Sequence, residues 1–223
     1  MRKTLLVLAA TAALSQAAGA QTLLTASFGG TQATQITNAC PSSYCFGNGP
    51  TAIGANGYNV TYTAVEDVSF GQSPLLSGPG GRYDLAGNGI WSGVAYAATN
   101  GTSSVWLTFS APVTAVGGIM NYCDGECRAA GTAWLRGYDS SNNLIASYDL
   151  FSAAGGISTP NGTDQGAFRG IAYAGGISAI EIQGGYVLTQ DLEATTVPEP
   201  STIGLMGAGM LGLVALRRRQ RVS

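Results

Sequence analysis

Apolar and polar positions alternate in short runs through the middle and second half of the chain. In Ser103–Ser110, Val105, Leu107 and Phe109 take one side of an extended segment while Trp106 and Thr108 take the other, since successive side chains of a strand point to opposite faces. Similar runs follow at Val113–Tyr122, Thr132–Asp139, Asn143–Leu150, Ala167–Tyr173, Ile177–Ile182 and Tyr186–Ala194, each bounded by Gly, Asn, Asp, Ser or Pro. Many short strands at close spacing predict an all-β fold, an antiparallel β-sandwich or jelly roll. Pro112 marks a turn between the first two of these strands, and Tyr138–Leu144 reads as a hairpin turn, because Asp and Asn tolerate its bent backbone. The N-terminal third is less regular. Gly57–Asp67 is its clearest strand, and Gly71–Gly89 reads as a long surface loop, a common place for binding residues.

Both ends break this pattern. Arg2 and Lys3 precede an almost wholly apolar stretch, Leu5–Leu14, and Ala18-Gly19-Ala20 supplies the small residues that a signal peptidase accepts. This is the layout of a secretory signal helix over residues 1–20, cut between Ala20 and Gln21. At the other end, Ile203–Leu216 holds no charge. Its helical length of about 21 Å falls short of a hydrocarbon core of ~30 Å. Ser201, Thr202 and a snorkelling Arg217 narrow that gap, so 202–216 reads as a short transmembrane helix. Arg217, Arg218, Arg219 and Arg221 belong on the cytoplasmic side by the positive-inside rule, which leaves residues 21–196 as one domain outside the inner membrane.

Charge and composition narrow the function classes. Between Gln21 and Thr196 stand four arginines, Arg82, Arg128, Arg136 and Arg169, against eleven carboxylates and no lysine, a net charge of −7. Such a surface repels phosphate backbones, which argues against a nucleic-acid partner. The chain contains no histidine, which removes the Ser-His-Asp and Cys-His hydrolases in their ordinary form and any imidazole-ligated zinc centre. A glycoside hydrolase needs two carboxyls set about 5–9.5 Å apart across a cleft, and no motif singles out such a pair.

The four cysteines come as two local pairs, Cys40 with Cys45 and Cys123 with Cys127. In an exported protein an even count implies disulfides, and four cysteines allow three connectivities. Pro41 and Gly125 suit loops that fold back and favour Cys40–Cys45 and Cys123–Cys127. The alternative, a four-thiolate zinc knot, fits these spacings loosely. Carboxylates cluster at Glu66-Asp67, at Asp124 and Glu126, and at Asp191 and Glu193. The last two share a strand face at a spacing of two, which makes them the candidate calcium ligands. Among the aromatics, Trp106 and Trp134 lie in strand-like stretches and read as packed. Tyr83 and Trp91, in the Gly-rich loop region, are the candidate contacts for a sugar ring.

Val197-Pro198-Glu199-Pro200-Ser201, the short Gly-rich apolar run and the terminal arginines together resemble the PEP-CTERM sorting signal. The resemblance implies export by a bacterium that makes extracellular polysaccharide, processing of the tail by the membrane enzyme exosortase, and delivery to the cell surface or extracellular matrix. The segment from Val105 to Glu193, with its "FSAPV", "VGG", "YDSSNN" and "GAFRGI", is similar to the β-sandwich domains of PEP-CTERM proteins and to galactose-binding-like jelly rolls. That likeness implies a non-catalytic domain associated with exopolysaccharide. A self-associating structural matrix protein is the first alternative and a carboxylate-dependent hydrolase the second. Deleting Arg217–Arg221 is expected to impair retention or processing. Subcellular fractionation and the mass of the mature chain check this, and no change in either would oppose the tail reading.

Overall fold

Two long strands organise the computed structural model, which describes residues 20–35, 39–40, 45–65, 68–71, 94–97, 103–122, 132–155, 167–184, 187–189 and 192–196. In chain order the strands are β1 Thr22–Leu24, β2 Thr31–Gln32, β3 Cys45–Phe46, β4 Thr51–Ala52, β5 Val60–Val65, β6 Val68–Gly71, β7 Val94–Ala97, β8 Ser104–Asn121, β9 Trp134–Tyr138, β10 Leu144–Asp149, β11 Ala167–Gln183, β12 Val187–Thr189 and β13 Glu193–Thr196; helix α1 spans Leu150–Ala154. Every pairing between these strands is antiparallel. The architecture is the all-β one that the alternating pattern predicts. The expected signal helix and the 202–216 helix lie outside the described residues, and among those described no helix is long and apolar enough to cross a membrane.

β8 and β11 pair with each other along most of their length and change their other neighbours halfway. β8 pairs with β5 over Ser104–Phe109 and with β13 over Val113–Gly117. β11 pairs with β9 over Ala179–Gln183 and with β1 over Gly170–Ala172. The change coincides with a double irregularity. Going from Ala172↔Ala115 to Ile177↔Val113 uses five residues of β11 and two of β8, and going on to Ala179↔Thr108 uses two of β11 and five of β8. The two excesses cancel, so the register at both ends is the same. Pro112 therefore marks no turn: it sits in the irregular part of β8, between the two edge partners, where its missing N–H deprives no ladder of a bond.

The inward face of the strands switches across this irregularity. On β8 the buried apolar residues are Val105, Leu107 and Phe109 before it, Val113 within it, and Val116 and Met120 after it. On β11 they are Ile171 on one side, Ile177 within it, and Ile180 and Ile182 on the other. Both sheet halves contribute to one apolar cluster, which also takes in Tyr62, Phe70, Leu135, Leu150, Leu192 and Ala194. Burying each large apolar side chain contributes about 1.5–3 kcal/mol, so a residue shifted by one place would lose that contribution and expose the ring or methyl groups to water.

The stretch Phe168-Arg169-Gly170-Ile171 shows how densely this core is used. Ile171 is fully buried, and Phe168 packs edge-on against Phe28 with ring centroids 6.0 Å apart. Arg169 is buried and its Nε donates to the Tyr122 hydroxyl (3.0 Å), its Nη1 to the Phe168 carbonyl (2.9 Å) and its Nη2 to the Ala154 carbonyl (3.3 Å). The Tyr122 hydroxyl in turn donates to the Gly155 carbonyl (2.7 Å), which ties the end of α1 to the sheet. Asp149 starts that helix by accepting from the Ser152 N–H (3.1 Å) and hydroxyl (2.8 Å), as an N-cap carboxylate does. Gly170 faces Gly117 across the strands, and a Cβ on Gly117 would lie 2.7 Å from the Gly170 Cα and 2.8 Å from the Arg169 carbonyl oxygen.

The hairpin between β9 and β10 is the one expected from Tyr138–Leu144. Asp139 accepts from the backbone N–H groups of Ser141 and Asn143 (2.9 Å each) and from the Asn143 side chain (2.9 Å), and Asn142 takes the left-handed backbone (φ 61°). These bonds, the Asn143 side chain first, hold the Asp139 carboxyl below the usual carboxylate range. Cys40 and Cys45 are joined as expected, with Cα atoms 5.9 Å apart. Their sulfurs are therefore not the thiolates a zinc knot would need. Cys123 and Cys127 lie outside the described residues.

Two stability changes follow. Gly117→Ala is expected to destabilise the domain by about 1–3 kcal/mol through overpacking against backbone that has no room to move, measured as a lower urea midpoint. The second concerns Asp139. A carboxyl with a lowered folded-state pKa stabilises fully above its unfolded value of about 3.9, and that contribution is lost as pH falls through the folded-state value. The gap in melting temperature between the parent chain and Asp139→Ala should therefore be present at neutral pH and narrow in acid.

Candidate functional site

The strands β5, β8, β11, β9 and β10 lie side by side, and their registers line up residues in rows on the outward face. One row reads Val65, Ser104, Gln183, Trp134 and Asp149; the next reads Thr63, Trp106, Glu181, Arg136 and Ser147; the third reads Thr61, Thr108, Ala179, Tyr138 and Leu144. With strands ~4.8 Å apart, each row spans about 19 Å. Its inward counterparts, Tyr62, Leu107, Ile180 and Gly137 among them, face the core. Alternation thus places three of the largest rings of these strands outside, each half-buried.

The rings and charges of this face touch one another. Trp106 and Tyr138 have ring centroids 4.6 Å apart at 35°, and the Arg136 guanidinium lies 5.1 Å from the centre of the Trp134 ring. Arg136 Nη1 donates to Glu181 Oε2 (3.1 Å) and to Gln183 Oε1 (2.6 Å), and the Tyr138 hydroxyl donates to Glu181 Oε2 (2.7 Å). Glu181 is only 6% exposed, so its charge depends on these two donors. Burial, reinforced by the bond to Glu181, pushes the Tyr138 phenol up to about 12. It stays protonated at neutral pH and keeps donating. Trp106 Nε1 donates to Ser104 Oγ (3.2 Å). The result is an aromatic strip, crossed by one compensated ion pair, that offers ring surface together with hydrogen-bonding edges.

The residues singled out from sequence fare differently. Tyr83, Trp91 and Asp191 lie outside the described residues, as do the sorting stretch Val197–Ser201 and Arg217, Arg218, Arg219 and Arg221. Ala20 and Gln21 are exposed, and β1 begins at the next residue. Glu193 is half-buried, and its Oε1 accepts from the Ser27 hydroxyl (2.7 Å) and the Phe28 N–H (3.0 Å). It borders an open hollow of about 320 Å³ with Gln32, Gly118, Ile119 and Phe168. Among the described residues no three acidic or thiol side chains gather in one place. Tyr62 is a core ring, and Tyr58 donates to the Ala194 carbonyl (2.9 Å).

Trp106 and Trp134 are the correction. They were expected to be packed, whereas they stand half-buried on the outward face. The signal was present: Trp134, Arg136 and Tyr138 alternate with the buried Leu135, and Trp106 alternates with the buried Val105 and Leu107. What no pattern supplied was that β9 would pair with β11 in a register bringing Tyr138 to Trp106.

Comparison with known proteins identifies the tail and leaves the strands unassigned. A fucose binding module from Streptococcus pneumoniae shares 16% identity over 47% of this chain and 70% of its own, with a TM-score of 0.32; a likeness that loose bears on neither fold nor ligand. No curated protein matches the chain. The PEP-CTERM protein-sorting motif matches residues 196–219, beginning on Thr196, the last residue of β13. The chain carries this sorting motif directly behind a strand-rich antiparallel domain, which implies exosortase-dependent export, sorting at the membrane and passage to the cell surface.

Proposed function

We propose that the protein is a non-catalytic, polysaccharide-associated β-sandwich of the cell surface or extracellular matrix. It is released by signal peptidase before Gln21, and exosortase processes it through Val197–Ser201. The observation that carries the polysaccharide reading is the outward strip of Trp106, Tyr138 and Trp134 around the Arg136–Glu181 pair. Aromatic side chains join a large apolar surface to a polar edge, which suits a sugar ring with its apolar C–H face and hydroxyl rim. Glycoside hydrolysis would need an available acid and a second carboxyl. Here Glu181 is held by Arg136 and Tyr138, and Asp149 is held by Ser152. Tyr83 and Trp91 are further candidate contacts, and a calcium ion on Asp191 and Glu193 is a separate part of the proposal.

The second reading, self-association into a structural matrix, is favoured by one observation. Val65 and Leu144, 51% and 55% exposed, lie in the outer rows of the same face, and exposed apolar residues beside aromatic rings suit another protein surface.

Co-sedimentation with the host's own exopolysaccharide separates the two. The parent chain is expected to sediment with it, and Trp106→Ala to lose about tenfold in affinity, the loss expected from one well-used aromatic contact. A fall in binding on adding a calcium chelator would support the Asp191–Glu193 site, and no change would remove it. Concentration-dependent assembly without any binding would favour the self-associating matrix protein.

A further inference from the structure

We infer that the strip formed by Trp106, Tyr138, Trp134, Arg136, Glu181 and Gln183 takes an uncharged glycan chain and discriminates against acidic ones; this rests on the polysaccharide reading above. The two charges of the strip are Arg136 and Glu181, and they neutralise each other at 3.1 Å. Glu181 is nearly buried, so it is not free to swing aside. A sugar carboxylate reaching for Arg136 would have to share the guanidinium with a fixed carboxylate and approach that like charge closely, which is unfavourable. The surroundings add to this, because the domain between Gln21 and Thr196 carries a net −7, and a polyanion is repelled before it arrives.

The remaining hydrogen-bonding atoms fit hydroxyls. Among the described residues, Arg136 Nε and Nη2 and Gln183 Nε2 have no partner and can donate, and Glu181 Oε1 has none and can accept. No buried atom of these residues is left without a bond, so the unpartnered ones are open to solvent. A hydroxyl both donates and accepts and can bridge such neighbours, whereas a carboxylate only accepts and leaves the Glu181 oxygen unmatched. The strip is also elongated. Trp134, Arg136 and Tyr138 occupy alternate positions of β9, and their backbone spans about 13 Å from first to last. Such a length suits the interior of a chain, with ring contacts at both ends and polar contacts between.

The test uses the full chain in a detergent without a sugar headgroup. Native gels contain either neutral polymers (β-glucan, galactomannan, arabinoxylan) or acidic ones (alginate, polygalacturonate), at low and at high salt. The expected result is retardation by a neutral polymer, insensitive to salt because no ion pair forms, with no retardation by the acidic polymers. Trp106→Ala and Trp134→Ala should each weaken retardation about tenfold. Where an alanine variant fails to fold, the shift in intrinsic tryptophan emission of the parent chain on adding the neutral polymer, lost or reduced in Trp106→Phe and Trp134→Phe, serves instead. Retardation by an acidic polymer that fades with salt, and that the tryptophan variants abolish, would overturn the charge inference and leave the strip as a glycan site. No retardation by any polymer would overturn the polysaccharide reading itself.

Discussion

The matched irregularity of β8 and β11 lets one pair of strands serve both halves of the sheet. Each strand inserts residues that its partner lacks, in opposite directions on either side of Ile177 and Val113, so the pairing resumes unchanged. Two strands long enough to serve both halves of the sheet can then turn their buried faces over together. A single insertion would have left one of them out of phase, with its apolar residues in water and its polar ones in the core. The exposed Pro112, the half-buried Tyr173 and the exposed Ala174 and Gly175 fall in this irregular zone, where fewer ladder bonds and fewer buried contacts are required of the chain.

On one side of that zone the outward face becomes the aromatic strip. On the other it becomes a surface where Gly117 and Gly170 bring the backbones close and Phe168, edge-on to Phe28, packs over Gly117. The difference arises from residue size at equivalent positions. Glycines opposite each other close a gap, while Arg136 and Glu181, neighbours in one cross-strand row, must satisfy each other. Arg136 and Arg169 illustrate the same divide. Arg136 sits half-exposed between a carboxylate and an indole; Arg169 sits in the interior on carbonyl and hydroxyl oxygens that belong to three different segments. The first shapes a surface, and the second holds elements together.

The sorting motif begins where the sheet ends. Thr196 pairs with Val113 as the last residue of β13 and is the first residue of the matched motif. The domain and its address are thus contiguous in the chain. Ala194, two residues earlier, is fully buried and its carbonyl accepts from Tyr58, so the strand that leads into the tail is tied into the core.

Much of this was legible in the residues themselves. The alternation of Val105, Leu107 and Phe109 with Trp106 and Thr108, the Asp139–Asn143 turn and the Pro-Glu-Pro tail each depend on neighbours close in the chain, so local sequence was enough for the antiparallel class, the hairpin and the address; the short Cys40–Cys45 loop favoured its disulfide without choosing among the three connectivities. The remaining features depend on partners far apart in the chain. Pro112 resembled a turn because proline lacks a ladder donor, and only the staggered partners β5 and β13 made room for it inside a continuous strand. Trp106 and Trp134 resembled core residues because large rings usually are. Their place outside was set by which face the two long strands turn inward, and their union with Tyr138, Arg136 and Glu181 by the register of β9 on β11. Register is a property of paired strands, and no single strand carries it.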